Sequence, residues 1–137
     1  MRHAVFLVFD DVAGCARVRI SSGRPKSVRD VPLADSLSAW IRAENATLAV
    51  TSVSAEAPNA PELDALQADG FLGAPVYGPD KDVIGVLAAV HSSPREWAGL
   101  HGTKLENLAH LITQEIMLRA SFETLRLMSA ERVRMNS

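Results

Sequence analysis

Apolar positions in the second half of the chain follow the two-residue period of β-strands. Two such segments, Phe71–Tyr77 and Val83–His91, flank the turn Gly78–Lys81, in which the fixed φ of Pro79 suits its place. Along the second segment, positions 84, 86, 88 and 90 point to one side and the positions between them to the other, and both sets are apolar. The pattern predicts a hairpin whose last strand is covered on both faces.

A second hairpin is predicted near the start of the chain. Ala4–Phe9 is a continuous apolar run, which is typical of a central strand that is buried on both faces. After the turn residues Asp10–Gly14, the segment Cys15–Ile20 alternates between apolar and polar side chains. Ser21–Asp30 is polar and has no periodicity, so we expect an exposed loop there.

Two short helices and one short strand are predicted between the hairpins. Asp35 is expected to cap a helix that carries Leu37, Trp40 and Ile41 and ends at Asn45. The other elements are a strand at Thr47–Thr51, a loop at Ser52–Ala60, and a helix at Glu62–Asp69 that begins after Pro61 and stops at Gly70. Strands and helices in this order indicate a mostly antiparallel sheet with helices on its two faces.

The last third of the chain has the period of a long amphipathic helix. Thr103 and Glu106 form a capping-box pattern, which predicts the start of the helix. One apolar stripe is expected to pack on the sheet and a second to face away from it. The first consists of Leu105, Leu108, Ile112 and Ile116, and the second of Leu111, Leu118, Phe122 and Leu125.

The second stripe predicts a homodimer. Leu111, Leu118 and Leu125 are seven residues apart, as in a coiled coil, although Glu115, Ser129 and Arg132 interrupt the heptads. A helix of about 30 residues is about 45 Å long, whereas a domain of this size has a radius of gyration of about 14 Å. We therefore divide the chain into a domain at 1–119 and a helical extension at 120–137 for dimerisation and signalling.

Composition narrows the possible functions. The 137 residues are 47% hydrophobic and 22% charged, which suits one domain with one core. A net charge of −2 gives no reason to expect nucleic acid binding. No apolar run reaches the roughly 20 residues that span a bilayer, so we expect a cytoplasmic protein without membrane contact. Cys15 is the only cysteine, which excludes an intrachain disulfide and a thiol-rich metal site.

The chain resembles a GAF domain. The resemblance rests on Phe71–Tyr77, the turn, Val83–Leu87, Ser93–Arg95 and the helix beginning Leu105–Ala109, together with the approach Val31–Leu37. It implies an α/β (α+β) fold like that of PAS domains, with a central antiparallel sheet, helices on both faces and a long C-terminal helix. It also implies a sensor of a bacterial regulatory protein, here with the usual N-terminal helix largely missing.

The resemblance also implies a small-molecule pocket between the sheet and the short helices. Thr51 and Ser52 would lie at its mouth, and His91 would be a polar group on its wall. The full set of pocket candidates is Trp40, Thr51, Ser52, Leu63, Leu66, Phe71, Tyr77 and His91.

The residues argue against the best-known ligands of this family. Cys15 lies in an early strand, so covalent bilin attachment is not expected, and the signature of cyclic-nucleotide binding is missing. His110 lies among solvent-type neighbours, unlike a haem ligand. Reduction of free methionine sulfoxide needs an attacking and a resolving cysteine, and one thiol cannot be both. We therefore expect no catalytic activity and no metal site.

Two functions remain after this reading of the sequence. The first is a sensor that binds a small molecule and transmits the signal through a dimeric C-terminal helix, either alone or with an output domain or partner protein. The second is a dimerisation or protein-interaction module whose cavity is closed by its own side chains. The sequence does not identify a ligand.

Overall fold

A six-stranded antiparallel sheet with helices on both faces forms the computed structural model, which describes residues 2–21 and 29–135. The strand order is β3-β2-β1-β6-β5-β4. The elements are β1 (Arg2–Asp10), β2 (Cys15–Ser21), β3 (Val31–Pro32), α1 (Leu37–Glu44), β4 (Leu48–Val50), α2 (Val53–Glu56), α3 (Glu62–Ala65), β5 (Gly70–Tyr77), β6 (Val83–His91) and α4 (Gly99–Met135). The mixed fold predicted from the sequence is confirmed.

The two predicted hairpins form the centre of the sheet. β1 pairs with β2 on one side and with β6 on the other, and β6 pairs with β5, so β1 is the central strand that its apolar run predicts. β4 pairs with β5 only from Leu48 opposite Gly73 to Val50 opposite Phe71. Pro75 lies two positions after Gly73 in β5, and it has no N–H that could pair with a longer β4. The edge strand is therefore short.

Each face of the sheet has its own apolar layer. The inner layer lies under α1, α2 and α3 and includes Leu7, Ile41, Leu66 and Phe71. The outer layer joins β5 and β6 to α4 through residues such as Leu105. As predicted, β6 contributes to both layers, although Ile84 packs in the outer layer, apart from positions 86, 88 and 90. The register of β5 against β6 shifts between Val76 and Tyr77, opposite this part of β6.

Several predicted boundaries are wrong. Ser36 caps α1 in place of Asp35, because its hydroxyl accepts the N–H of Ala39, whereas Asp35 takes a left-handed turn conformation with φ 59°. α1 does end at Asn45, as predicted. α3 is one turn long and stops before Leu66, and neither α2 nor β3 was predicted. Of the predicted loop at 21–30, residues 22–28 lie outside the described residues.

α4 differs from its prediction at its start and in its sheet-facing side. It begins at Gly99, and the Thr103 hydroxyl donates to the Gly99 carbonyl instead of forming a capping box. Leu108 is exposed, and Ala109 takes its place against the sheet. The domain boundary predicted at 119/120 lies within α4, as it lay within the predicted helix, and it stays a prediction. Among residues 2–21 and 29–135, no helix combines the length and the apolar character that crossing a membrane requires.

Candidate functional site

A buried carboxylate marks the inner layer, on the face that the family resemblance assigns to the pocket. Glu62 begins α3, and none of its surface is exposed. Its Oε1 atom accepts the backbone N–H of Ser38 at 2.9 Å and the Ser38 hydroxyl at 3.0 Å. Its Oε2 atom has no hydrogen-bond partner within the described part of the chain. We call this group of atoms the Glu62 site.

The Glu62 site lies at the N-terminus of α1. The Ser38 N–H is one of the donors that a helix leaves without an internal partner in its first turn, and a negative charge there is favoured by the helix dipole. Ser36 satisfies the next donor, the N–H of Ala39. Glu62 therefore links α3 to α1.

A second polar cluster lies at the ends of β4, β5 and β6. Asp69 accepts hydrogen bonds from the hydroxyls of Ser52 and Ser54, both at 3.0 Å, and from the Ser54 backbone N–H. This N–H, followed by the two hydroxyls, holds the pKa of Asp69 below its ordinary value, although partial burial opposes the shift. The Asp69 N–H donates to the His91 carbonyl, which ties the cluster to the end of β6.

An open groove of about 470 Å³ runs from this cluster along α3. Arg29, Asp64 and Gln67 contribute polar groups to it, and Leu63 contributes apolar surface. Asp69 also lines the groove, so the polar cluster and the outer side of α3 share one surface.

The predicted pocket residues are only partly brought together. Leu66 and Phe71 are fully buried in the inner layer, and Leu63 packs against it while lining the groove. Ser52 lies in the polar cluster, whereas the imidazole of His91 contacts Ser93. Thr51 is exposed, and Trp40 is 44% exposed on α1.

Tyr77 lies in a different place. Its hydroxyl donates to the Asn45 side chain, and its N–H donates to the Thr113 hydroxyl of α4. Tyr77, Glu106 and His110 line a cleft of about 260 Å³ between β5 and α4. The cleft lies beside residues 45–47, which precede β4. This cleft was not predicted, because its polar groups are up to 65 positions apart in the sequence and meet only through packing.

The outward side of α4 carries an exposed apolar stripe. We define the α4 stripe as Leu108, Leu111, Leu118, Phe122 and Leu125, each between 53% and 58% exposed. At about 100° per residue these side chains fall within an arc of about 100°, turned away from Leu105 and Ala109. From Met117 to Met128 every side chain that the structure describes is exposed.

Sequence reasoning missed the role of Glu62. An acidic residue after Pro61 in a first helical turn is expected to face solvent, where it favours the helix dipole. The sequence contains no signal that this side chain reaches inward to Ser38, 24 positions earlier.

Metal ligands are not clustered in the described residues, where no group of three or more His, Cys, Asp or Glu could hold an ion. Cys15 is a half-buried free thiol at the start of β2.

No family model matches the chain, and no curated protein matches it. Solved structures do match. Free methionine-R-sulfoxide reductase from Neisseria meningitidis, in complex with its substrate, is 19% identical with a TM-score of 0.70, covering 86% of this chain and 70% of that one. The GAF domain of Acinetobacter phosphoenolpyruvate-protein phosphotransferase is 19% identical with a TM-score of 0.68, covering 87% and 72%. The cyanobacteriochrome receptor PixJ is 20% identical with a TM-score of 0.66, covering 84% and 82%.

These similarities show that the chain has a GAF-like fold. They also correct the expectation that the chain is not an enzyme. Four of the similar structures are free methionine-R-sulfoxide reductases, so the fold points to a possible enzyme. A single cysteine excludes one mechanism that needs two thiols, and this does not exclude catalysis on this fold.

Proposed function

We propose that this chain is a GAF-type regulatory domain. A small molecule binds in the inner layer between the sheet and helices α1–α3, and a second copy of the chain binds the α4 stripe. Ligand binding shifts the balance between two arrangements of the paired helices, which requires unequal affinity of the ligand for the two.

The observation that carries this proposal is the α4 stripe. Its five large apolar side chains lie on one side of the helix and are each more than half exposed, and soluble proteins usually cover such a surface with a partner. The 19 residues from Met117 to Met135 extend for about 28 Å, and an isolated helix of that length is marginal in water. The spacing of the stripe, alternately three and four residues except at Glu115, is that of a coiled-coil seam.

The proposed coupling between the two sites uses strand β5. Its side chains alternate between the layers, with Phe71 in the inner layer and Leu72 in the outer layer. At its end, the Tyr77 N–H is held by Thr113 of α4. Trp97, which precedes α4, donates to the Val50 carbonyl of β4 at 3.2 Å. A displacement of β5 or β4 by a ligand would therefore be transmitted to α4.

The test has two measurements on the full chain. Sedimentation across a concentration series should give a dimer, and native mass spectrometry of protein purified from its host should show a bound small molecule. Free methionine-R-sulfoxide is added separately and its loss is followed, because reductases share this fold. A folded monomer at high concentration would refute the dimer, and a ligand-free spectrum with no response to added compounds would refute the sensor.

A second candidate function follows from the inner layer itself. Leu7, Ile41, Leu66 and Phe71 are all fully buried there, which favours a domain whose interior is filled by its own side chains. Such a chain would dimerise through α4 without a ligand. It is distinguished from the sensor by the mass spectrum, since both give the same sedimentation result.

A further inference from the structure

We infer that the cleft between β5 and α4 binds a small planar cation with N–H donors, of the amidinium or guanidinium class. We call it the β5–α4 cleft; its volume is about 260 Å³, and it lies on the face of the sheet that carries α4. The inference goes beyond the proposed function, whose ligand binds on the opposite face. Drug-sized ligands occupy pockets of about 300–1,000 Å³, so this cleft suits a smaller molecule.

The β5–α4 cleft exists because the edge strand β4 is short. Pairing of β4 with β5 begins at Leu48 opposite Gly73, so residues 45–47 do not join the sheet. These residues form one wall of the cleft, and α4 forms the other. Ala46 and Ala74 also line it, and their small side chains leave the space between the strand edge and the helix open.

α4 contributes Glu106 and His110 to the cleft from one side of the helix. They are four residues apart, and Thr113, three residues further on, accepts the N–H of Tyr77 at the end of β5. This hydrogen bond fixes the cleft side of α4 beside β5. At about 100° per residue, Glu106 and His110 lie about 130° around the helix from the middle of the α4 stripe. A second copy bound to the stripe therefore leaves the cleft open.

Negative charge and hydrogen-bond acceptors dominate the β5–α4 cleft. With histidine neutral, Glu106 is the charged side chain among the lining residues, and none of the four ion pairs of the described residues uses it. Pro75 has no N–H, so the β5 backbone can only accept a hydrogen bond there. The Tyr77 hydroxyl donates to the Asn45 side chain, which leaves its oxygen as an acceptor. A ligand with a positive charge and several N–H donors complements these groups.

The surroundings of Glu106 favour a planar cation over a compact ammonium ion. A carboxylate accepts two parallel N–H bonds from an amidinium or guanidinium group, and this paired geometry adds both strength and orientation. Pro75 and Tyr77, whose side chains are rings, line the same cleft, and a flat cation gains cation–π attraction on a tyrosine ring. The His110 ring is positioned by the Gln114 side chain at 3.2 Å, one turn further along α4.

The experiment is a calorimetric titration of the full chain with benzamidinium chloride. Benzamide has the same shape without the charge, and tetramethylammonium chloride has the charge without N–H groups. Benzamidinium should bind at one site per chain, and both control compounds should bind at least about tenfold more weakly. In the NMR spectrum, the backbone amide resonances of Thr47 and Tyr77 should shift with benzamidinium and not with the controls.

Glu106→Gln removes the charge at an exposed position, so it should fold and weaken benzamidinium binding at least about tenfold. Glu123→Gln is the matched control and should bind as the wild type does. It makes the same change at an exposed position of the same helix, about 25 Å further along. Ala46→Leu keeps the charge of Glu106 but places a larger side chain in the cleft, so it should also weaken binding.

Three results with benzamidinium would each overturn the inference: no binding to the wild type, equal binding of benzamide or tetramethylammonium, or unchanged binding by Glu106→Gln. Unchanged binding by Ala46→Leu would also overturn it, because the cation would then meet Glu106 outside the cleft. If Glu106→Gln does not fold, the wild-type NMR shifts and Ala46→Leu decide the question. A monomeric chain or an empty inner layer would refute the proposed function and leave benzamidinium binding unchanged.

Discussion

Truncation of Leu118 to alanine should weaken the proposed dimer about a hundredfold. The change removes about three methylene groups, each worth about 0.8 kcal/mol when it is fully buried. Because Leu118 is 56% exposed in the single chain, about 1.3 kcal/mol per copy is available to an interface. A homodimer loses this twice, about 2.7 kcal/mol, and about 1.4 kcal/mol corresponds to a tenfold change in Kd.

The matched control is Leu127→Ala. Leu127 is 68% exposed on the same helix, and nine residues at about 100° each place it on the side opposite Leu118. The same side chain is removed from the same helix, so helix propensity changes equally in both variants. Analytical ultracentrifugation over a concentration series gives the dissociation constants.

We expect a weakened dimer for Leu118→Ala and an unchanged one for Leu127→Ala. Equal effects of the two substitutions would mean that the helix associates without using the stripe. An unchanged dimer in Leu118→Ala would mean that the copies meet elsewhere.

Three further predictions concern the fold. Gly85→Ala should destabilise the protein by about 3 kcal/mol or more in urea unfolding, because a Cβ there would lie 2.2 Å from a backbone carbonyl oxygen of β1. Gly99→Ala is the control and should not destabilise the protein in this way, because the space around Gly99 is open. Ser36→Ala should cost about 1 kcal/mol in the same assay through loss of the α1 cap. The lowered pKa of Asp69 stabilises the fold at pH values above the unfolded pKa of about 3.8, and this stabilisation is lost as the pH falls through the folded pKa. The stabilities of the wild type and Asp69→Asn, measured by acid unfolding, should therefore converge below the folded pKa of Asp69. A stability difference that does not change with pH would contradict the assignment.

The main strands and the long helix could be predicted from the sequence because their signals are local. Residues 71–77 and 83–91 are mostly apolar over lengths that suit strands, and the structure has strands at Gly70–Tyr77 and Val83–His91. The second apolar side of α4 was likewise predicted from the spacing of apolar residues along one helix. Short elements such as α2 and β3 were not predicted, since four residues or two carry little periodicity and depend on their neighbours for stability.

The candidate site could be predicted only in part. Leu66 and Phe71 were pocket candidates because of the family resemblance, and the structure buries both side chains in the inner layer. Trp40 shares a helical spacing with Leu37 and Ile41, and the family resemblance made it a pocket candidate. It is 44% exposed, because a short helix turns one side to solvent and spacing alone does not fix where that side begins.

Patterns within single segments were enough to predict the two hairpins and the second apolar side of α4 from the sequence. Folding in three dimensions was needed to bring Glu62 to Ser38, Asp69 to the hydroxyls of Ser52 and Ser54, and the N–H of Tyr77 to Thr113 of α4. These contacts join residues 15 to 36 positions apart. Their energies depend on burial and on the direction of single hydrogen bonds, which exist only after the chain has folded.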